Sequence, residues 1–389
     1  MAIHHKVLRF RMIPTRVQAH LLCRQAGARR WVWNWALEQR TIHYKIYGKT
    51  IPKKQLSSDL TALKNNPDMA WLKEADAQTL QQTLLDQDRA FQRFFAKTAK
   101  HPKFKGRKNS PMTFRVPQRV KVDEEKVYVP KIGWVKIRQS MGIPDPTKSA
   151  TFKRDASGNW FVAIVVEFSI SDDPLPISED AVGIDLGLKD FAVLSTGERI
   201  PAPKFFRRSQ KRLRRAQRVL SRRQKTSRRR ARAKQRVARI HQRTSDQRKD
   251  FIHKLTTRIT HCHDAVCVET LNIRGLARTK LAKSILDAAW GEAIRQFQYK
   301  AIWNRKHLAQ TPMFFRSTKE CRFCGTVNNT LTLADRYWTC SGCLQVHDRD
   351  LHASHRIRDE GLRLLAVGHT DSKNARGVDV SPSLEGGRC

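Results

Sequence analysis

Acidic residues are scarce in this chain. Of 389 residues, 35 are Asp or Glu against 76 Lys or Arg, a formal net charge of +41. That imbalance excludes a surface of evenly mixed sign and points to a polyanionic partner. Nucleic acid leads. Anionic membrane ranks second, but no amphipathic anchor or lipidation motif supports it. Long apolar runs are missing too. The longest, around Trp160 to Phe168, is strand-length, against the roughly 20 residues of a membrane helix. The first residues, MAIHHKVLRFRMIP, hold no apolar h-region, so no secretory signal is expected. A cytoplasmic protein without a membrane partner is expected, nucleoid-associated in a prokaryote. Cysteines number eight, too few for a disulfide framework. Cys23, Cys262, Cys267 and Cys389 are scattered; the other four form two tight pairs, a metal-ligand pattern of a reducing compartment.

The length predicts about two to three domains. Residues 3–12 read as a basic strand, with Thr15 as a helix cap after Pro14. Helical periodicity follows to about residue 47, then over 56–65 and 76–98. The tryptophans at 31, 33 and 35 point different ways on a helix, so packing is expected over base stacking. Residues 112–170 alternate in short runs broken by Pro, Gly and Asp, which predicts an antiparallel sheet or small barrel. A linker covers 169–180. AVGIDLGLKDFAVLS at 181–195 reads as strand, turn and strand. From Lys204 to Arg243 there are 19 Lys or Arg in 40 residues and no acid. A thin stripe of Leu213, Ala216, Leu220, Val237 and Ile240 favours two helices turning near Thr226–Ser227 over a disordered basic arm. DAVCV at 264–268 is a short strand, 282–304 a helix, and 351–366 a final helix. The tail from Gly368 reads as disordered.

Cys321-x2-Cys324 and Cys340-x2-Cys343 are separated by 15 residues. Each knuckle brings two thiolates to one ion, and two knuckles complete a tetrahedron. Four cysteines fill the site, so one structural zinc is expected, supplying the folding energy of a unit too small for a core. His347 reads as a surface or contact residue, not a ligand.

Acids on apolar strands require explanation in so basic a chain. Asp185 lies inside AVGIDLG, where burial raises its pKa unless a cation compensates. Glu269 ends a strand. Asp350 lies just before the last helix, and Asp348 is a natural N-cap. Each alone reads as a cap or a salt-bridged acid. Together, two strand carboxylates and one on a final helix can converge at one end of a sheet. Three such groups suit two Mg²⁺ or Mn²⁺ ions and in-line phosphodiester displacement.

These segments carry a family resemblance. GIDLGLKDFAVLS, VCVETLNIRGLAR and CRFCG…CSGC followed by DRDLHASHRI resemble the three RuvC segments and zinc ribbon of the TnpB (OrfB) family. Those proteins are nucleases of insertion-sequence transposons and relatives of type V CRISPR effectors. FRMIPTRVQ, WNWAL, HPKFKGRK, VYVPKIGWVKIR and SILDAAWGEAIRQFQYKA match as well, so the resemblance covers about residues 5–366.

The resemblance implies an α/β multidomain protein with an RNase H-like (RuvC) core. Its segments are 179–205, 250–314 and 346–367, with a basic helical insertion at 206–249 and a zinc ribbon at 315–345. A wedge β-barrel is expected from 1–15 and 110–172, with a helical recognition lobe at 16–109 inserted into it. Asp185, Glu269 and Asp350 are implied as the catalytic, metal-binding triad. The implied activity is cleavage of double-stranded DNA beside a short transposon-adjacent motif, directed by a guide RNA from the transposon end. A role in transposon maintenance and a monomeric state go with it. Arg214, Arg215, Arg218, Arg222 and Arg223 are candidate contacts to a guide–target duplex. Arg9, Arg11, Lys103 and Lys105 are candidates for RNA or motif-bearing DNA. His352 and Arg356 stand where the family usually carries Asn. A histidine near the metals can compete with their ligation, so a weakened or inactive RNA-guided DNA binder is the alternative.

Overall fold

A 12-residue strand opens the chain in the computed structural model, which describes residues 2–107, 110–118, 120–171, 173–177, 180–332 and 334–367. The tail from Gly368 lies outside the described residues. The contacts divide the chain into two units, residues 2–170 and the remainder from Ser171.

In the first unit, β1 (Ala2–Ile13) leads into α1 (Arg16–Tyr47). Thr15 caps that helix in a reciprocal box with Gln18, an arrangement worth about 1 kcal/mol. α2 (Lys53–Asn65), a 3₁₀ turn at Pro67–Glu74 and α3 (Ala77–Phe95) follow. The sequence gives no expectation of the 3₁₀ turn. Val32 and Ala36 of α1 pack with Leu56, Leu60, Leu72, Leu80 and Leu84. Trp33 is buried, and Trp31 stacks on Trp35 while meeting Trp71 edge-on. All three tryptophans are used in packing, as expected.

The strands β2 (Met112–Val116), β3 (Val122–Asp123), β4 (Lys126–Val129), β5 (Gly133–Arg138), β6 (Thr147–Arg154) and β7 (Trp160–Ile170) join β1 in one sheet. Its order is β2-β6-β7-β1-β5-β4-β3, antiparallel where paired. β1 sits at its centre, because its basic-apolar alternation puts Leu8, Phe10 and Met12 on the buried face. Phe114, Phe152, Trp160 and Val162 meet them there, with Leu22 and Ala26 of α1. The wedge barrel expected from the sequence is a sheet whose end strands, β2 and β3, share no ladder among the described residues.

The second unit is a mixed α/β layer. β8 (Ala181–Leu186), β9 (Asp190–Leu194) and β10 (Arg199–Pro201) form a meander. α4 (Phe205–Ser221) and α5 (Arg228–Cys262) form an antiparallel hairpin. Leu213, Ala216 and Ile240 close its small core, with Phe206 and Val237 against them. The basic block is therefore helical, turning at 222–227. Then come β11 (Ala265–Glu269), α6 (Ile273–Leu276), α7 (Ala282–Ala288), α8 (Trp290–Trp303) and β12 (His307–Thr311). The single helix expected over 282–304 is broken at Ala289, which adopts φ of 56°. β13 (Tyr337–Thr339) and β14 (Val346–Asp348) pair beside the cysteines, and α9 (Arg349–Ala366) closes the unit. β14, assigned from sequence to the nuclease core, ladders with β13 and runs straight into α9.

The five-stranded sheet runs β10-β9-β8-β11-β12, with β8, β11 and β12 parallel. α9 lies tight on it. A Cβ on Gly183 of β8 would meet Ser354 O at 1.9 Å, and one on Gly361 of α9 would meet Cys267 Sγ at 2.3 Å. Only glycine at both positions permits this approach, which brings the start of α9 to the sheet. No helix among the described residues is long and apolar enough to cross a membrane.

Candidate functional site

Parallel pairing of β8 and β11 matches Ile184 to Val268. The next residues along each strand are Asp185 and Glu269, which therefore face the same way at the carboxyl ends of neighbouring strands. This is where open α/β sheets present ligand sites. The carboxyl of Asp185 is held well above its ordinary range, first by burial, then by the charges of Glu269 and Asp350, with Arg349 opposing. Glu269 is pushed up to about 7 by burial, against a hydrogen bond from the Leu186 N–H. Glu269 and Asp350 are thus close enough to Asp185 for mutual repulsion to matter.

Asp350 stands in the first turn of α9, after the Asp348 cap, whose carboxylate accepts the Leu351 N–H at 3.1 Å. Its own carboxylate faces arginines. Arg336 reaches it at 2.9 Å, Arg349 at 3.1 Å and Arg199 at 3.9 Å. Arg199 also pairs with Asp348 at 2.6 Å and Asp190 at 3.5 Å. Sequence reasoning missed these three arginines, since nothing marks them among so many cations. As a donor set, two half-buried, mutually repelling carboxylates and a third beside them fit hard divalent cations such as Mg²⁺ or Mn²⁺.

The four cysteines are gathered more tightly. Cys321, Cys324, Cys340 and Cys343 have sulfurs within 4.8 Å of one another, and among the described residues no other three metal-ligating side chains meet that distance. Cys321 and Cys343 sulfurs are 3.6 Å apart, Cys324 and Cys340 3.4 Å. The Cys324 thiol is lowered to about 6, chiefly by the Thr326 hydroxyl. Four soft donors with no open position fit one structural Zn²⁺. His347 is buried rather than superficial, with Nε2 3.3 Å from Cys321 Sγ.

His352 and Arg356 do not face the carboxylates. His352 Nε2 accepts the Arg322 backbone N–H at 3.1 Å, between the two cysteines of the first knuckle. Its ring lies edge-on to Trp338 and 4.4 Å from His347. Arg356 pairs with Glu320 at 3.0 Å and lies over Phe315. The expectation that His352 competes for the catalytic metals is corrected: its ring is committed to the cysteine module. Burial, more than the neighbouring cations, lowers its pKa to about 4, so it is a neutral acceptor at neutral pH.

The basic candidates divide. Arg214, Arg215, Arg218, Arg222 and Arg223 are all exposed on α4 and the hairpin turn. Asp287 of α7 anchors that hairpin. Both its oxygens accept the Phe206 N–H at 3.0 Å, and Arg248 of α5 pairs with it at 2.9 Å. It caps α4 in trans, since Lys204 at the helix start makes no side-chain cap. In the first unit, exposed Arg9 lies over the Phe161 ring at 4.0 Å and Arg11 donates to Asn159 at 3.0 Å. Lys103 is exposed, and its carbonyl accepts Trp33 Nε1–H. Lys105 is half-buried with Nζ 3.2 Å from the Trp33 ring centre. Its pKa is lowered to about 7, by burial first and Arg29 second, with Asp86 opposing. Lys105 thus serves packing first.

The OrfB_IS605 family model, described as a probable transposase, matches residues 163–280. A Cas12f1-like TNB domain model matches 290–357, spanning the cysteines. A helix-turn-helix model matches residues 1–49, where the structure has a strand and one unbroken helix. A Streptomyces pristinaespiralis protein provisionally named RNA-guided DNA endonuclease is 39% identical over 93% of this chain and 91% of its own length. The similarly named InsQ of Escherichia coli K12 is 32% identical over 93% of this chain and 94% of its own. Among solved structures, Cas12f1 in complex with guide RNA and target DNA shares the fold at TM-score 0.55 and 15% identity, over 88% of this chain and 83% of that one. With two relatives above 30% identity across nearly their whole length, the chain belongs to the TnpB (OrfB) family of insertion-sequence proteins.

Proposed function

We propose that this protein is an RNA-guided, divalent-metal-dependent endonuclease of double-stranded DNA, with a RuvC-like, RNase H-type second unit as its nuclease. The single observation that carries the reading is the juxtaposition of Asp185 and Glu269 on paired parallel strands, with Asp350 near enough to raise Asp185. Names given to the relatives support the same activity. Asp185, Glu269 and Asp350 hold the catalytic ions. Bound there, Mg²⁺ or Mn²⁺ supplies charge stabilisation for in-line displacement at phosphorus.

The chain's own residues do the rest. The α4–α5 hairpin, with exposed Arg214, Arg215, Arg218, Arg222 and Arg223, tracks the phosphates of a guide–target duplex. Arg9, Arg11 and Lys103 contribute sequence-independent contacts. Base pairing by a transposon-encoded guide reads the target, while the first unit reads a short adjacent motif. The wedge and recognition-lobe assignments of that unit, a monomeric state and a role in transposon maintenance belong to the same proposal. One zinc holds the cysteine module. The competing reading, a weakened or inactive RNA-guided DNA binder, drew on His352 and Arg356, and both side chains contact the cysteine module.

Sequencing the RNA that co-purifies with protein expressed beside its native flanking DNA tests the proposal. One discrete species ending just beyond the element's boundary is expected. Heterogeneous RNA, or none, would contradict a guided enzyme.

A further inference from the structure

Three side chains of α9 sit at i, i+4 and i+7 and all engage the first cysteine knuckle. His352 accepts the Arg322 N–H at 3.1 Å, Arg356 pairs with Glu320 at 3.0 Å, and Asp359 pairs with the Arg322 guanidinium at 2.5 Å. Arg322 lies between Cys321 and Cys324, and Glu320 precedes Cys321. We propose that His352, Arg356 and Asp359 form a docking stripe through which occupancy of the cysteine site fixes the position of Asp350. The inference rests on the nuclease reading above for the role of Asp350, and the stripe itself stands on geometry alone.

The module touches α9 at a second place. Arg336 reaches Asp350, the Arg349 N–H donates to the Arg336 carbonyl at 2.8 Å, and the Arg349 guanidinium donates to the Thr332 carbonyl at 3.2 Å. Asp348, the last residue of the β13–β14 ladder, is the cap of α9. Arg336, Arg349 and the Asp348 cap, three of the groups around Asp350, therefore come from the module and its junction with α9. The module has little apolar core of its own: Cys321, Leu331, Trp338 and Cys340. A unit so small depends on its metal to stay folded. His347 extends the chain of contact, from Cys321 Sγ at 3.3 Å to the His352 ring at 4.4 Å. With zinc bound, the stripe presses a rigid knuckle on α9. Without it, the stripe, the ladder and the arginines around Asp350 loosen together.

His352, Arg356 and Asp359 are positioning residues in this scheme. The test uses the full-length, zinc-loaded protein, a His352→Ala/Arg356→Ala double variant, and His352→Asn, whose amide oxygen can still accept the Arg322 N–H. Zinc transfer to a colorimetric chelator gives one readout. Hydrogen exchange of the first turn of α9 gives a second. Mn²⁺ affinity by electron paramagnetic resonance gives a third, with Asp185→Asn defining the site-specific part. The double variant is expected to carry one zinc yet release it about tenfold faster. Its residues 349–353 should exchange faster, and its Mn²⁺ affinity should fall about tenfold. His352→Asn should fall between. Unchanged zinc release would overturn the stripe. Faster release with unchanged exchange and Mn²⁺ affinity would overturn the coupling. A wild type without Asp185-dependent Mn²⁺ binding would instead sink the nuclease reading, and the other two readouts would still decide the stripe.

Discussion

The two candidate metal sites of this protein are built in opposite ways. The cysteine site takes its four ligands from two short knuckles, and their sulfurs already lie within 4.8 Å. The carboxylate site takes one ligand each from β8, β11 and α9, and its members repel one another. Soft thiolates in a closed set hold a module together, whereas hard carboxylates on a rigid sheet are held together by the fold. Stability should flow from metal to fold at the first site and from fold to metal at the second.

Breaking the first site should have the largest effect. Cys340→Ser removes a ligand from a module with little core, so residues 315–348 should lose order, zinc should be absent, and cleavage should fall below detection. Zinc analysis with hydrogen exchange checks this; an intact β13–β14 ladder without zinc would contradict it. The magnitude follows from the roughly 10 kcal/mol or more that structural zinc contributes to small modules.

A buried acid that is fully compensated gives the next effect. Asp287 is matched by the Phe206 N–H and Arg248, unlike Asp185. Asp287→Ala should cost about 2 kcal/mol and loosen the α4–α5 hairpin. RNA binding should persist, because many phosphate contacts remain. Urea unfolding and filter binding check both halves.

The uncompensated acid should behave oppositely. Asp185→Asn relieves burial and repulsion, so without added Mg²⁺ the variant should be more stable than wild type by about 1 kcal/mol. Excess Mg²⁺ should shrink or reverse that gain, because only wild type is stabilised by binding. Thermal melts at two Mg²⁺ concentrations measure it. An equal loss of stability in both would mean that Asp185 is a structural acid.

The smallest effect concerns Lys105, a half-buried cation in the first unit. Its pKa of about 7 lies far below the 10.5 of a free lysine. Between those values the unfolded chain binds the extra proton, so stability rises with pH through that window. Lys105→Met should remove this slope, and the wild type should gain on the variant from pH 7.5 to 9.5 in urea titrations.

How much of this was legible in the sequence follows the same division. Local signals were read well. The knuckle spacing announced the cysteine site, the Thr15 cap opened α1, and alternation placed Leu8, Phe10 and Met12 in the core. The basic block was resolved into helices by five apolar residues. Non-local features were not legible from pattern alone. Asp185, Glu269 and Asp350 lie far apart in the chain; apolar strands and a final helix singled them out, each alone reading as a cap or a paired acid, and the family resemblance implied their joint role. Arg199, Arg336 and Arg349 were hidden by the very excess of cations that points to a polyanionic partner. His352 was read by proximity in sequence to Asp350, but a helix turns successive side chains by about 100°. Two residues therefore separate a carboxylate-site position from one facing the cysteines. Ala289 breaks α7 from α8 by a left-handed backbone that no alanine announces.

The central claim is tested most directly by cleavage of guide-matched plasmid DNA, with wild type and Glu269→Gln each carrying co-purified RNA. Wild type in Mg²⁺ should linearise only plasmid bearing the guide-matched target beside its adjacent motif. Glu269→Gln should carry the same RNA and leave the plasmid intact. Equal cutting by the variant, or no guide-dependent cutting by the wild type, would contradict the account.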